Sequence, residues 1–230
     1  MKLLGLVGGM SWENTIEYYR RINKSVQKRL GGWNSAKLML YSVNFAKILE
    51  MEEQGKWQDL TKIMLQVCQK LENSGCKGIF ICSNTMHKIA DTLQKGIDIP
   101  IIHVVDALGK SIKTRNIKTI GLLGTKTTME GGFYIQKLHG KYKVEAKVPN
   151  QKDREFINDM IYNELSKAII KDETKHKLLS IVEGLVERGS KGIVLGCTEL
   201  PLIIKKDEVS VPLFDTMNIH IAKAVDFMLR

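Results

Sequence analysis

No apolar run in this chain approaches the ~18 residues that a membrane-spanning helix needs, so no membrane partner is expected. There is no block of five or more Lys or Arg, and no RNP, zinc-finger or basic-zipper pattern. The net charge of +10 (35 basic minus 25 acidic residues) is scattered along the sequence. It reads as solvated surface with a bias toward anions, not as a nucleic-acid footprint. Cysteine is scarce, at four: Cys68, Cys76, Cys82 and Cys197. Only Cys76 and Cys82 lie close together. Their spacing is not that of a zinc finger and a second pair is missing, so no metal is expected. A secretion signal is also lacking. "MKLLGLVGGM" has no small-residue cleavage site and runs into charged "SWENTIEYYRR", so it reads as a first strand, and reduced cytoplasmic thiols are expected. The polar bias of disordered chains is absent too. Hydrophobic residues make up 43% of 230, enough for the core of one large domain or two small ones.

What is present is an alternation of short apolar runs and longer amphipathic segments. "LLGLVG" (3–8), "KLMLYS" (37–42), "GIFIC" (78–82), "PIIHVV" (100–105), "TIGLLG" (119–124), "VEAKV" (144–148), "GIVLG" (192–196) and "VPLF" (211–214) read as strands. Helical patterns cover about 12–29, 56–74, 84–95, 151–170, 173–188 and 216–229. Apolar strands without polar alternation, separated by helices, imply α/β architecture with parallel sheets covered on both faces.

The halves resemble each other. "GCKGIFICSNT" begins at Gly75 and "GSKGIVLGCTE" at Gly189, an offset of 189 − 75 = 114 residues. In that register Ser83 falls on Cys197, Asn84 on Thr198 and Thr85 on Glu199. "KLLGLVGG" from Lys2 matches "KTIGLLGT" from Lys118 at nearly the same offset. Two related units of four strands each explain both matches. The expected division is 1–98 plus 215–230 for the first domain and 99–214 for the second. Ligands of open α/β sheets bind beyond the carboxyl ends of strands, and both polar clusters sit at such ends. If the units face each other, Ser83 and Cys197 point into one cleft from opposite sides.

Each cluster precedes a predicted helix, whose free N–H groups and dipole favour negative charge. They are expected to lower the pKa of Cys197 toward a usable thiolate and to hold a substrate carboxylate, with Asn84, Thr85 and Thr198 adding donors. A small acid held between groups on opposite faces suits the transfer of a proton across one carbon. Plainer readings apply elsewhere. Cys68, Cys76 and Cys82 read as buried core residues. Cys82 and Ser83 are successive strand residues and point opposite ways. Ser83 alone could be an N-cap, and only its match to Cys197 raises it. His87 reads as a packed or solvated histidine. "GLVGGMSW" has neither the spacing of a dinucleotide loop nor the Lys of a P-loop, although its glycines allow close approach to a ligand.

"GLVGGMSWENT", "NTMHK" and "GCTEL", in this order, together with "VNFAKI", "LLGTKTTM" and "PLFDT", resemble the aspartate/glutamate racemases that need no pyridoxal phosphate, and the aspartate branch in particular. The resemblance spans essentially the whole chain. It implies two similar α/β domains, each a four-stranded parallel sheet flanked by helices, with the active site in the cleft between them. It implies no cofactor, a small acidic amino acid as substrate, and a homodimer. In the family two cysteines act as paired acid and base. The second is Cys197. The first directly precedes the Asn-Thr pair, where this chain has Ser83; Cys82 comes one residue too early. Some relatives also carry a hydroxyl there. By the same resemblance Met10, Asn84, Thr85, Thr198 and Glu199 contact substrate, with Glu52 (where relatives can carry Gln) and Glu164 added. The implied activity is interconversion of L- and D-aspartate, extending to glutamate. Hydantoin racemisation, maleate isomerisation, decarboxylation and non-catalytic carboxylate binding are the alternatives.

Overall fold

The computed structural model describes residues 1–230. The chain opens with β1 (Leu4–Gly8), α1 (Trp12–Leu30), β2 (Leu38–Ser42), α2 (Phe45–Glu53), α3 (Trp57–Asn73), β3 (Ile79–Ile81), a 3-10 turn (Thr85–Lys88) and α4 (Ala90–Gln94). It continues with α5 (Val104–Lys113), β4 (Thr119–Leu123), α6 (Lys126–Glu130), α7 (Phe133–Lys137), a π-helical turn (Leu138–Tyr142), β5 (Glu145–Lys147), α8 (Gln151–Asn163) and a second 3-10 turn (Leu165–Lys167). Then come α9 (Asp172–Glu187), β6 (Ile193–Leu195), α10 (Leu200–Ile203), a third 3-10 turn (Lys206–Glu208), β7 (Leu213–Asp215) and α11 (Thr216–Leu229). Two compact units result: Met1–His103 with His220–Arg230, and Val104–Ile219.

The fold is α/β. The first unit holds a parallel sheet in the order β2-β1-β3, the second a parallel sheet in the order β5-β4-β6-β7. Every residue of β1, β3 and β6 is buried, as strands covered on both faces require. Helix α1 buries Tyr18, Ile22 and Val26 on one stripe. Its start is capped by the Ser11 hydroxyl, which accepts the Asn14 N–H at 3.3 Å, and its end by Gly31 at φ +73°. Helix α3 turns Leu60, Met64, Val67, Cys68 and Leu71 into the first core. Cys68, Cys76 and Cys82 are all buried, as expected, and burial pushes the Cys68 thiol up to about 12.

The internal repeat reappears hydrogen bond by hydrogen bond. Gly5 N–H donates to the Gly78 carbonyl at 2.9 Å, and Gly121 N–H to that of Gly192 at 2.8 Å. Ile79 and Ile193 donate to the carbonyls of Pro100 and Pro212, each at 2.9 Å. Cys82 N–H reaches the Val7 carbonyl at 2.9 Å and Gly196 N–H that of Leu123 at 2.7 Å. Gly75 and Gly189 take φ of +88° and +94°, a conformation that a Cβ disfavours.

Three expectations are corrected. The fourth strand of the first sheet shrinks to one bridge, Ile79 with Ile101. Pro100 has no N–H to give, the outward N–H of Ile101 goes to the Gln94 side chain at 2.7 Å, and α5 starts at Val104. The helix expected over 84–95 is a 3-10 turn followed by the five-residue α4. The helix expected over 151–170 ends at Asn163, where the chain turns through Leu165–Lys167 and Ala168 at φ +56°.

Candidate active site

In the first unit β1 and β3 are neighbours, so the segments after their carboxyl ends lie side by side. After β1, Gly9 takes φ +91° and an added Cβ would collide with the Val43 carbonyl. Its N–H donates to Thr15 Oγ1 at 2.8 Å, and that hydroxyl donates to the Ser11 carbonyl at 2.8 Å. The glycines of "GLVGGMSW" therefore let the loop fold tightly against α1. After β3, Ser83 is half-buried. Its Oγ accepts the Met86 N–H at 3.4 Å, and its carbonyl lies 2.7 Å from His87 Nδ1. Asn84 and Thr85 are buried.

In the second unit β6 lies between β4 and β7. Gly196 follows the strand where there is no room for a side chain: a Cβ would stand 2.7 Å from the Leu123 carbonyl oxygen. Cys197 follows, 8% exposed. Its Sγ donates to Glu199 Oε2 at 2.9 Å, and the Thr198 hydroxyl donates to the same oxygen at 2.8 Å. The sign expected for the Cys197 pKa is corrected. Burial, then the Glu199 charge and hydrogen bond, push the thiol well above its ordinary value, and the opposing pull of the Glu199 and Thr198 N–H groups is outweighed. The following helix α10 has only four residues, too few to build an appreciable dipole. In the resting protein Cys197 is a thiol whose proton points at a carboxylate.

A family profile described as Asp/Glu/Hydantoin racemase matches residues 7–224. The chain belongs to that family. Over the full length of both chains it is 43% identical, with a TM-score of 0.96, to a candidate Asp/Glu racemase of Yersinia pestis. It is 33% identical, again over the full length of both and with a TM-score of 0.86, to PH1733, an aspartate racemase homologue from Pyrococcus horikoshii OT3. Over 197 residues it is 23% identical to glutamate racemase of Histophilus somni, a match spanning 75% of this chain and 65% of that enzyme's length.

The Met10 side chain is buried in the first core. Glu52, on α2, is half-buried. Its carboxyl is pushed up to about 7, chiefly by burial, with Lys88 pulling it down and Glu53 pushing it further up. Lys88 itself lies over the Trp57 ring, 3.8 Å from the centroid. Glu164 uses both carboxylate oxygens inside its own unit, accepting from Lys171 Nζ and from Thr174 Oγ1, each at 2.8 Å. Those bonds tie the end of α8 to the start of α9. No cluster of three or more His, Cys, Asp or Glu side chains is arranged to hold a metal ion, and no helix is long and apolar enough to cross a membrane.

Sequence reasoning missed the wall around Cys197. Thr128 packs its methyl beside Gly124 and Gly196 and accepts a hydrogen bond from Thr125 at 3.2 Å. Tyr134 is fully buried, and its phenol is pushed up first by burial and then by Cys197. The threonines lie in "LLGTKTTM", where a polar cluster closing an apolar strand gave the same signal as "CSNT". Nothing local marks Tyr134.

Proposed function

We propose that this chain is an amino-acid racemase that interconverts L- and D-aspartate, and glutamate as a second substrate, by direct proton transfer between Cys197 and Ser83. The observation that carries the reading is their equivalence: each follows the corresponding strand of the repeat, and each has a hydrogen-bond partner in place, the Met86 N–H for Ser83 Oγ and the Glu199 carboxylate for Cys197 Sγ. Cys197 passes its proton to Glu199, and the resulting thiolate takes the substrate α-proton. Ser83 delivers its hydroxyl proton to the opposite face of the α-carbon. The Met86 N–H that Oγ accepts stabilises the charge left on that oxygen. One proton has then entered the substrate from Ser83 and one has left it to Cys197. Proton exchange with solvent, out from the Glu199 carboxyl and in at Ser83, resets the site. Asn84, Thr85, Thr198 and the nearby N–H groups hold the substrate carboxylate, with Met10, Glu52 and Glu164 bordering the site. The reaction calls on no cofactor. Four free thiols suit a reducing cytoplasm.

Enantiopure amino acids incubated with the protein in D₂O test the reading. Aspartate is expected to invert, and the inverted product carries one deuterium at the α-carbon. Absence of both inversion and exchange across a panel of L-amino acids would overturn it, and ligand-induced thermal stabilisation without turnover would make the chain a carboxylate-binding protein instead.

A further inference from the structure

Behind the Ser83 turn lies a stack of buried rings. Tyr18 from α1 meets Phe80 from β3 edge-on, with centroids 5.4 Å apart. His220 from α11 stacks on Phe80 at 3.8 Å with planes 19° apart. His87 stands 5.3 Å from His220 and 4.7 Å from His103. The three histidines are 2%, 7% and 0% exposed for His87, His103 and His220. An imidazole buried this deeply costs free energy unless its N–H groups are used, and an apolar ring would fill the same space at lower cost.

We propose that His87 is a positioning residue that fixes the Ser83 turn through its Nδ1–H, with the Phe80–His220 stack as its backstop. The proposal rests on the reading of Ser83 as proton donor. His87 Nδ1 lies 2.7 Å from the Ser83 carbonyl oxygen. A carbonyl only accepts, so the proton sits on Nδ1. In an ordinary turn the Met86 N–H would close on that carbonyl; here it is aimed at Ser83 Oγ, at 3.4 Å. His87 thus takes over the carbonyl and frees the Met86 N–H for the hydroxyl that works. Holding the carbonyl sets the Ser83 peptide plane, and with it the direction of Oγ.

The backstop is fixed in the same way. His220 Nε2 lies 2.5 Å from the Ile102 carbonyl, so Nε2 carries the proton, while Nδ1 has no hydrogen-bond partner. Burial, then the neighbouring His87, hold the His220 pKa well below its usual range against the pull of that carbonyl. A neutral, tautomer-locked ring cannot titrate away from the turn it supports. Reaction geometry is sensitive to displacements of about 1 Å, which can cost roughly 100-fold in rate.

The test compares His87→Leu, which keeps the bulk and loses the donor, with His87→Asn, whose amide N–H can stand where Nδ1 does. With L-aspartate in D₂O, the Leu variant is expected to lose about 10- to 100-fold in the kcat of inversion. KM and the α-proton exchange that Cys197 carries out should stay within about 3-fold of wild type, and the Asn variant should regain most of the inversion. Inversion by the Leu variant within about 2-fold of wild type overturns the proposal. So does loss of exchange in step with inversion, or an Asn variant no better than Leu. ¹⁵N NMR of histidine-labelled wild-type protein needs no variant: a proton on Nδ1 of His87 is expected, and one on Nε2 alone refutes the hydrogen bond. Ser83→Ala separates the two levels. If that variant inverts normally, the reading of Ser83 falls and His87 with it. If it fails while His87→Leu does not, only the positioning role is lost.

Discussion

The Sγ of Cys197 donates to Oε2 of Glu199 across 2.9 Å, and the Thr198 hydroxyl donates to that same oxygen. The base proposed for the α-proton therefore rests as an acid, and its carboxylate neighbour must take a proton before it can act. Replacing Glu199 with Gln separates these roles. Without the negative charge the Cys197 pKa drops, so iodoacetamide alkylation begins at lower pH than in wild type. Racemisation falls by about 100-fold or more, because an amide cannot take the thiol proton. Unchanged kcat, or an alkylation midpoint shifted upward, counts against the Cys197–Glu199 hand-off.

Ser83 makes the two directions unequal in their parts. A serine hydroxyl is a far weaker acid than a thiol, so it delivers a proton more readily than it removes one. The equilibrium constant of a racemisation is one, so kcat/KM stays equal in both directions and the asymmetry must appear in kcat and KM separately. L-aspartate in D₂O is expected to exchange its α-proton faster than it inverts, D-aspartate to turn over with the lower kcat, and Ser83→Cys to raise inversion and even out the directions. Equal kcat for both enantiomers with no excess exchange contradicts this role.

Cys82 lies one residue before Ser83 yet is fully buried, with its thiol pushed up by that burial. Cys82→Ala should cost roughly 1 kcal/mol of stability and leave turnover within a few-fold of wild type. A variant as stable as wild type but inactive would transfer the catalytic role from Ser83 to its neighbour.

Glu52 gives the protein a pH-dependent stability. Burial holds its carboxyl at about 7 when folded, against an ordinary 4.5. Between those values the folded state keeps a proton that the unfolded state has released. The contribution is complete below the unfolded pKa and is lost as pH rises through about 7. The difference is on the order of 1–3 kcal/mol, toward the lower end for a half-buried group. Melting temperatures at about pH 5 and about pH 8 should therefore differ less in Glu52→Gln than in wild type. Equal differences remove the linkage.

Trp12, Ile16 and Tyr19 stand 63%, 51% and 53% exposed on α1, at spacings that place them on one face. Large exposed apolar faces favour association, and we propose that the homodimer implied by the family resemblance forms through this one. Sedimentation equilibrium should give a dimer for the wild type and a monomer for the Ile16→Glu/Tyr19→Glu double variant. A monomeric wild type, or a double variant that stays dimeric, discards the interface.

The strands most readable in the sequence, such as β1 and β4, are apolar runs buried along nearly their whole length and closed by glycine. Both glycine-led repeats were visible because their hydrogen bonds are made by equivalent backbone atoms, which demand the same small residues twice. What escaped depends on distant partners. The missing fourth strand of the first sheet is decided by the Gln94 side chain reaching Ile101. The break after Asn163 is decided by Glu164 meeting Lys171 and Thr174. The sign of the Cys197 pKa turned on burial and on a carboxylate two residues away, which together outweigh the N–H groups that the motif suggests. His87 looked like packing because no local pattern shows which atom an imidazole will face.

The closing segment His220–Arg230 belongs to the first unit. Lys2 N–H donates to the Met228 carbonyl at 2.8 Å, Arg29 pairs with Asp226, and Phe227 fills the space that a side chain at Gly78 would need. The first unit is therefore discontinuous in sequence, and it closes only when two stretches separated by the whole of Val104–Ile219 have met. Loop-closure entropy grows only slowly with loop length, yet contacts of such sequence separation slow folding. The half carrying Ser83 thus depends on long-range contacts that the half carrying Cys197, continuous in sequence, does not need.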